Sequence, residues 1–187
     1  MDNFALISEP FLDGYAADFG GTNLGEVTDI SLISVAQPLD GQEKLQKAAM
    51  SVWGIALPSP GQSNLSETGN VRLLCLGADT FLAILIAPET VVDTAKRLGS
   101  TGYTTDQSDN WVTLRLSGPL SYAALERICP IDLNPKTFLV GSFARTSMEH
   151  LGTIILKESA DTFLLLSASS SALSFLHAVE TSIKYTI

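Results

Sequence analysis

The sequence predicts an α+β fold made of two β-α-β-β-α halves, and two recurrences carry that prediction. Ala78-Asp-Thr-Phe-Leu82, a turn running into a strand, reappears as Ala160-Asp-Thr-Phe-Leu164, 82 residues later. Ile30-Ser-Leu32 lies the same 82 residues before Val112-Thr-Leu114. Self-similarity at a fixed offset is the signature of duplication. Two open α/β halves, each with one apolar sheet face, would bury those faces together or beneath their helices.

In chain order, residues 1–26 lack a sustained hydrophobic period and read as an extended arm, with turns at Asp13-Gly14 and Gly20-Gly21. A single α+β domain is expected over 27–187, composed of half-repeats 27–100 and 111–187. Val27 to Ala36 alternates as a strand does, and Gln42 to Trp53 places Leu45, Ala48, Ala49 and Val52 on one helical face. Pro58 to Gly69 reads as a loop. Val71–Leu76 and Thr80–Ala87 form a hairpin. A helix follows over Glu89–Leu98, with Thr90-Val-Val-Asp93 as its capping box and Val91, Ala95 and Leu98 as its buried stripe. Gly99 to Asn110 is a polar loop. The second half repeats the order: strand Trp111–Leu116, helix Ser121–Ile128, linker Pro130–Pro135, then strands between Val140 and Ala168. The last helix, Ser170 to Ile183, is expected to turn Leu173, Phe175, Leu176, Val179 and Ile183 inward and Ser171, Ser174, His177 and Glu180 outward, capped by Ser169 or Ser170.

Composition narrows the function. Hydrophobic residues make up 45% of the chain and charged ones 17%, below the roughly 25% of typical soluble domains. Such a surface suits a chain that hides apolar area against a partner. The net charge is −9, and no Lys/Arg cluster interrupts it, which points away from nucleic acid and from anionic membranes. The apolar run Phe81–Ala87 is too short to span a bilayer. Met1-Asp2-Asn3 begins no signal peptide pattern. Cys75 and Cys129 sit in apolar contexts as two buried free thiols, so a cytoplasmic location is expected.

Chemistry was sought residue by residue. Asp18-Phe-Gly-Gly-Thr-Asn23 resembles a sugar-kinase phosphate loop, but no buried strand precedes it, and it reads as a glycine turn. His150 and His177 have no second metal ligand at usable spacing. No Gly-x-Ser-x-Gly elbow and no Gly-x-Gly-x-x-Gly fingerprint occur. Asp132 and Asp161 adjoin turns. These readings leave no catalytic, cofactor-binding or metal residue in this chain. Arg145 differs: it lies in Phe143-Ala-Arg-Thr146, within a strand, with Glu149 four residues on. A strand arginine among apolar neighbours calls for a carboxylate, so Arg145 and Glu149 are expected in a partner interface or a structural ion pair.

Cys129-Pro-Ile-Asp-Leu-Asn-Pro-Lys-Thr-Phe138, Ala144-Arg-Thr146 and Ser167-Ala-Ser-Ser-Ser-Ala-Leu-Ser-Phe-Leu-His-Ala-Val-Glu180 together resemble the gamma subunits of heterotetrameric sarcosine oxidase. The likeness is strongest over 110–182 and moderate over 27–100. It implies a complex of alpha, beta, gamma and delta subunits that demethylates sarcosine oxidatively to glycine, with tetrahydrofolate accepting the one-carbon unit. It further implies FAD, FMN, NAD and tetrahydrofolate on the partner subunits and a non-catalytic gamma chain packed on alpha. The implied fold is that of the folate-binding domain of the aminomethyltransferase (glycine cleavage T-protein) family, itself duplicated.

That wider family supplies an alternative, a stand-alone folate-binding one-carbon protein. Val112-Thr-Leu-Arg-Leu-Ser-Gly-Pro119 through Asp132-Leu133 resembles its strand-Gly-helix-Asp pattern. The T-protein pattern also has an Asp-Asp pair where this chain reads Leu151-Gly-Thr-Ile-Ile-Leu-Lys157, and Val-Asn-Ala-Ser where it reads Leu166-Ser-Ala-Ser169. A pterin ring is read by carboxylate and amide groups in an apolar pocket, and those groups are missing here. A third class, a binding or sensor domain without turnover, would keep a pocket but form no product.

Overall fold

The computed structural model describes residues 9–186. Eleven strands form two antiparallel sheets, stacked face to face between two pairs of helices. The N-terminal hairpin β1 (Ala16–Asp18) and β2 (Asn23–Glu26) joins the sheet that holds β8 (Trp111–Ser117), β9 (Phe143–Met148), β10 (Leu151–Lys157) and β11 (Thr162–Ala168). Its order is β1-β2-β8-β11-β10-β9. The other sheet has order β4-β5-β6-β3-β7, from β3 (Ile30–Ala36), β4 (Ser63–Leu65), β5 (Val71–Cys75), β6 (Thr80–Ile86) and β7 (Tyr103–Asp106).

Pairing registers make the repetition exact along the inner strands. Leu74 pairs with Leu82, and 82 residues on Leu156 pairs with Leu164. The strands before the first helix of each half are offset by 81 instead: Ile33 opposite Ala83 corresponds to Leu114 opposite Leu165. Aligning Ile30-Ser-Leu32 with Val112-Thr-Leu114 is therefore one residue out of step. A one-residue slip exchanges the faces of a strand. Leu32 accordingly lies between the sheets, whereas Leu114 and its true counterpart Ile33 face helices.

The two alternatives for burial are realised at once. Leu32, Leu74, Leu82 and Ile84 of one sheet meet Phe143, Ile154, Leu156, Leu164 and Leu166 of the other. Alternate residues on the outer faces pack beneath α1 (Gln42–Trp53) and α2 (Val91–Leu98), or beneath α3 (Ser121–Ile128) and α4 (Ala172–Lys184). Period-two alternation sends each strand's apolar residues to both cores, which is why the inner strands read as nearly continuous apolar runs.

Residues 16–26 correct the expectation of an extended arm, although turns do occur at Asp13-Gly14 and Gly20-Gly21. Glu26 lies opposite Leu114 as Asp106 lies opposite Ile33, so β2 fills in one sheet the place that β7 fills in the other. The last strand of the second half thus comes from the start of the chain. Gly118 seats this hairpin: its φ is +114°, and a Cβ there would lie 2.3 Å from the Gly21 carbonyl oxygen. A backbone approach that close admits glycine alone. Thr22, fully buried, accepts a hydrogen bond from Leu120 N–H at 3.1 Å on the same seam.

Three other expectations are revised. The segments 58–69 and 99–110, read as loops, contain the edge strands β4 and β7, whose polar sequences carry little strand signal because they are exposed. Leu173 is 75% exposed. It sits four residues before His177, on the solvent face, while Phe175, Val179 and Ile183 are fully buried. Ser169 and Ser170 do not cap α4; they belong to a 3-10 turn, and Ser169 Oγ donates to the Asp109 carbonyl at 2.9 Å. The Thr90–Asp93 cap holds, with Asp93 N–H donating to Thr90 Oγ1 at 3.1 Å.

The sheets also join directly. Gln62 bridges Ser142, Ser63 N–H donates to the Gly141 carbonyl at 2.9 Å, and Phe143 N–H donates to the Gly61 carbonyl at 3.2 Å. Both pairs are related by the same offset of 80, so a local twofold passes between Gln62 and Ser142.

Candidate functional site

Two concavities flank Trp111, whose ring is half-buried at the open end of the inter-sheet core. The first, about 350 Å³, is lined by Phe11, Glu26, Ile30, Leu32, Asp109 and Thr113, among others. Its best-placed carboxylate is already committed. Glu26 accepts hydrogen bonds from Leu12 N–H at 3.1 Å and Gly14 N–H at 2.9 Å, which fixes the N-terminal hairpin.

The second is a groove of about 560 Å³ along β9 and β10, lined by Trp111, Arg145, Ser147, Gly152, Ile154 and Ala168. Arg145 pairs with Ile154, a residue of the inter-sheet core, so its side chain emerges on that face. It is exposed, and no carboxylate lies within ion-pair distance of it among the described residues. Glu149 is not its partner. Glu149 and His150 have φ of 46° and 69°, the left-handed pair of a tight hairpin turn between β9 and β10, and the side chains diverge. The intrachain ion pair expected for Arg145 and Glu149 is thus absent.

The ion pair that does form was not legible beforehand. Arg115 Nε donates to Glu158 Oε2 at 2.8 Å. That bond holds the Arg115 guanidinium above its ordinary range, with attraction to Glu158 and Asp29 adding to it. Arg72, from the other sheet, is half-buried; desolvation lowers its pKa and attraction to Glu158 partly offsets this. The cluster clips one sheet to the other at the edge of their shared core.

Other candidates resolve into structural roles. Asp18 Oδ1 accepts Gly21 N–H at 2.7 Å, closing the β1–β2 turn in the glycine stretch that resembles a phosphate loop. Asp132 accepts Asn134 N–H and the Thr137 hydroxyl, each at 2.9 Å. Asp161 accepts the Ser159 hydroxyl at 3.1 Å. His177 is exposed beside Glu180, which takes Lys184 Nζ at 2.9 Å and the Tyr15 hydroxyl at 3.2 Å. Cys75 and Cys129 are buried and unpaired in different helix-facing cores, and burial pushes both thiols up.

The positions where a T-protein pattern would read folate are likewise occupied. Ser167 Oγ donates to the Gly152 carbonyl at 2.9 Å, and Lys157 Nζ, buried, donates to the Phe138 carbonyl at 3.0 Å beneath the Phe163 ring. These residues do not fit a pterin site. No group of His, Cys, Asp and Glu suited to a metal occurs among the described residues. Nor is any described helix long and apolar enough to cross a membrane.

No protein-family model matches the chain. Curated proteins do match it. One from Corynebacterium sp. (strain U-96) is 27% identical over 125 residues, covering 66% of this chain and 61% of that protein. One from Arthrobacter sp. is 29% identical over 124 residues, 64% and 60% of the two chains. These relatives are sarcosine oxidase gamma subunits. The matched segment spans about three fifths of their length. Among solved structures, heterotetrameric sarcosine oxidase from Corynebacterium sp. U-96 contains a chain that superposes with a TM-score of 0.76 at 24% identity, covering 88% of this chain and 84% of that one. The glycine cleavage aminomethyltransferase T from Bartonella henselae gives 0.64 at 19% identity, covering 85% of this chain and 45% of that one. The resemblance read from the sequence is borne out, and the T-protein-like fold with it.

Proposed function

We propose that this chain is the gamma-type accessory subunit of a heterotetrameric sarcosine oxidase, located in the cytoplasm, and that it assembles directly with the alpha subunit and through it with beta and delta. The observation that carries the reading is the likeness to gamma subunits in sequence, joined by superposition onto a chain of the tetrameric oxidase over most of both lengths. The chemistry belongs to the complex: oxidation of the N-methyl group of sarcosine to leave glycine, with tetrahydrofolate accepting the carbon. FAD, FMN, NAD and tetrahydrofolate reside on the partner subunits in this reading.

The role of the chain is then mass action. Binding to the large subunit removes apolar surface of both chains from water and stabilises the competent assembly over its separated parts. The low share of charged residues and the exposed Leu139, Val140 and Leu173 support a surface that is covered in the working state.

The test is capture of the tagged chain from its native host, with mass spectrometry and a visible spectrum of the eluate. A yellow eluate holding a large and a medium flavoprotein chain is the expected result. A colourless eluate holding this chain alone would overturn the proposal. Tetrahydrofolate binding and turnover by that material would put the stand-alone folate protein in its place.

A further inference from the structure

Four strands end the two sheets: β1, β4, β7 and β9. The first three have three, three and four residues, whereas β9 has six. Native proteins blunt edges because a row of free N–H and C=O groups invites another strand. Along β9 the direction of each backbone group is fixed. Lys157 N–H donates to the Ser142 carbonyl, which sets even-numbered residues toward β10, and Phe143 N–H points the opposite way to Gly61. The alternation of an antiparallel ladder then turns the N–H and C=O of Arg145 and Ser147 outward, away from β10. Neither has a backbone partner on that side.

We infer that the β9 edge receives an extended, acidic segment of the large partner subunit as an added antiparallel or parallel strand, with a carboxylate of that segment on Arg145. The inference rests on the accessory-subunit reading and deepens it. Charge decides the occupant. Arg145 is the one charged residue lining the groove, in a chain of net charge −9. Main-chain bonds to Arg145 and Ser147 supply affinity in such a mode, and the side chain beside the groove supplies selectivity. A second copy of this chain fits poorly. It would bring two chains of charge −9 together and set one Arg145 near another, a like-charge arrangement that opposes pairing.

The test co-expresses the tagged chain with the large subunit and measures the large subunit recovered. Four proteins are compared: wild type, Arg145→Glu, Ser147→Pro, and Leu65→Glu on the equivalent β4 edge. Ser147→Pro removes an outward N–H without breaking a ladder bond, which an edge strand tolerates. Circular dichroism melts of the isolated variants establish that each is folded as the wild type is. Recovery falling about tenfold in Arg145→Glu and in Ser147→Pro, with Leu65→Glu unaffected, is the expected result. If the wild type recovers no large subunit, the accessory-subunit reading itself fails, and the proposed occupant with it. If the wild type assembles and both β9 variants assemble equally well, the strand-addition inference alone is overturned. Loss in Arg145→Glu without loss in Ser147→Pro means a side-chain contact without strand pairing, which also overturns it. So does a wild-type homodimer that either β9 variant converts to monomer, since a second copy would then hold the edge.

Discussion

The edges β4 and β9 occupy equivalent places in the two sheets and touch at the Gln62–Ser142 bridge, yet they part just beyond it. β4 ends after three residues, with Asn64 Nδ2 donating to the Ala56 carbonyl at 2.8 Å to tie its outer side down. β9 continues for six, carries an unpaired arginine and turns back through a tight hairpin. Duplication supplied two copies of one surface, and only the copy in the second half is left open. That half also holds every segment quoted for the resemblance to gamma subunits. The first half, by contrast, completes itself with its own β7, whereas the second must borrow β2 from the N-terminus. One half closes the scaffold, and the other presents the docking edge.

The sharpest way to break this comparison is in the second half's core. Phe175→Ala is expected to cost about 3–5 kcal/mol, because Phe175 is fully buried beneath α4. Leu173→Ala, two residues away on the exposed face, is expected to stay within about 0.5 kcal/mol. Urea melts with equal m-values check both. A comparable loss in Leu173→Ala would return Leu173 to the core. Next in size is Gly118→Ala, expected to cost about 2–3 kcal/mol, since the added Cβ meets backbone at 2.3 Å where the borrowed hairpin docks. Gly102→Ala in the first half should cost less, because its added Cβ meets Val35 Cγ1 at 2.8 Å, a side-chain atom that can yield.

A smaller effect is expected from the inter-sheet clip. Arg115→Ala should cost about 1 kcal/mol or less, because the pair with Glu158 is partly exposed, and the cost should shrink in high salt. A salt-independent loss would mean that Arg115 acts by packing instead. The smallest signal is chemical. Burial raises both cysteine thiols, so at pH 8 the thiolate stays scarce and alkylation of Cys75 and Cys129 should be much slower in the native protein than in urea. Equal rates would show that one of the helix-facing cores opens.

Much of the scaffold was legible because apolar periodicity survives wherever a strand or helix is buried on one side or both. Helices Gln42–Trp53 and Ser121–Ile128 fall where their patterns end. The β4 and β7 edges were missed because Ser63-Asn-Leu65 and Tyr103-Thr-Thr-Asp106 are exposed, and exposed strands need no apolar code. The borrowed strand β2 was missed because its equivalence to β7 runs against chain order, so no forward offset finds it. Matching letters also misaligned Leu32 with Leu114, since apolar residues on β3 and β8 alternate between two cores and either register looks apolar. At the candidate site, Arg145 stood out as a strand arginine. Its exposed setting beside Trp111, and the separation of Glu149 into a turn, depended on the hairpin geometry and on which face of β9 looks at Ile154.

The most direct test is hydrogen exchange on the chain free and in the assembled complex. Protection rising at Arg145 and Ser147, with the β4 amides unchanged, is the result expected of an open second edge filled by the partner. Unchanged exchange along β9 in an intact complex would contradict it.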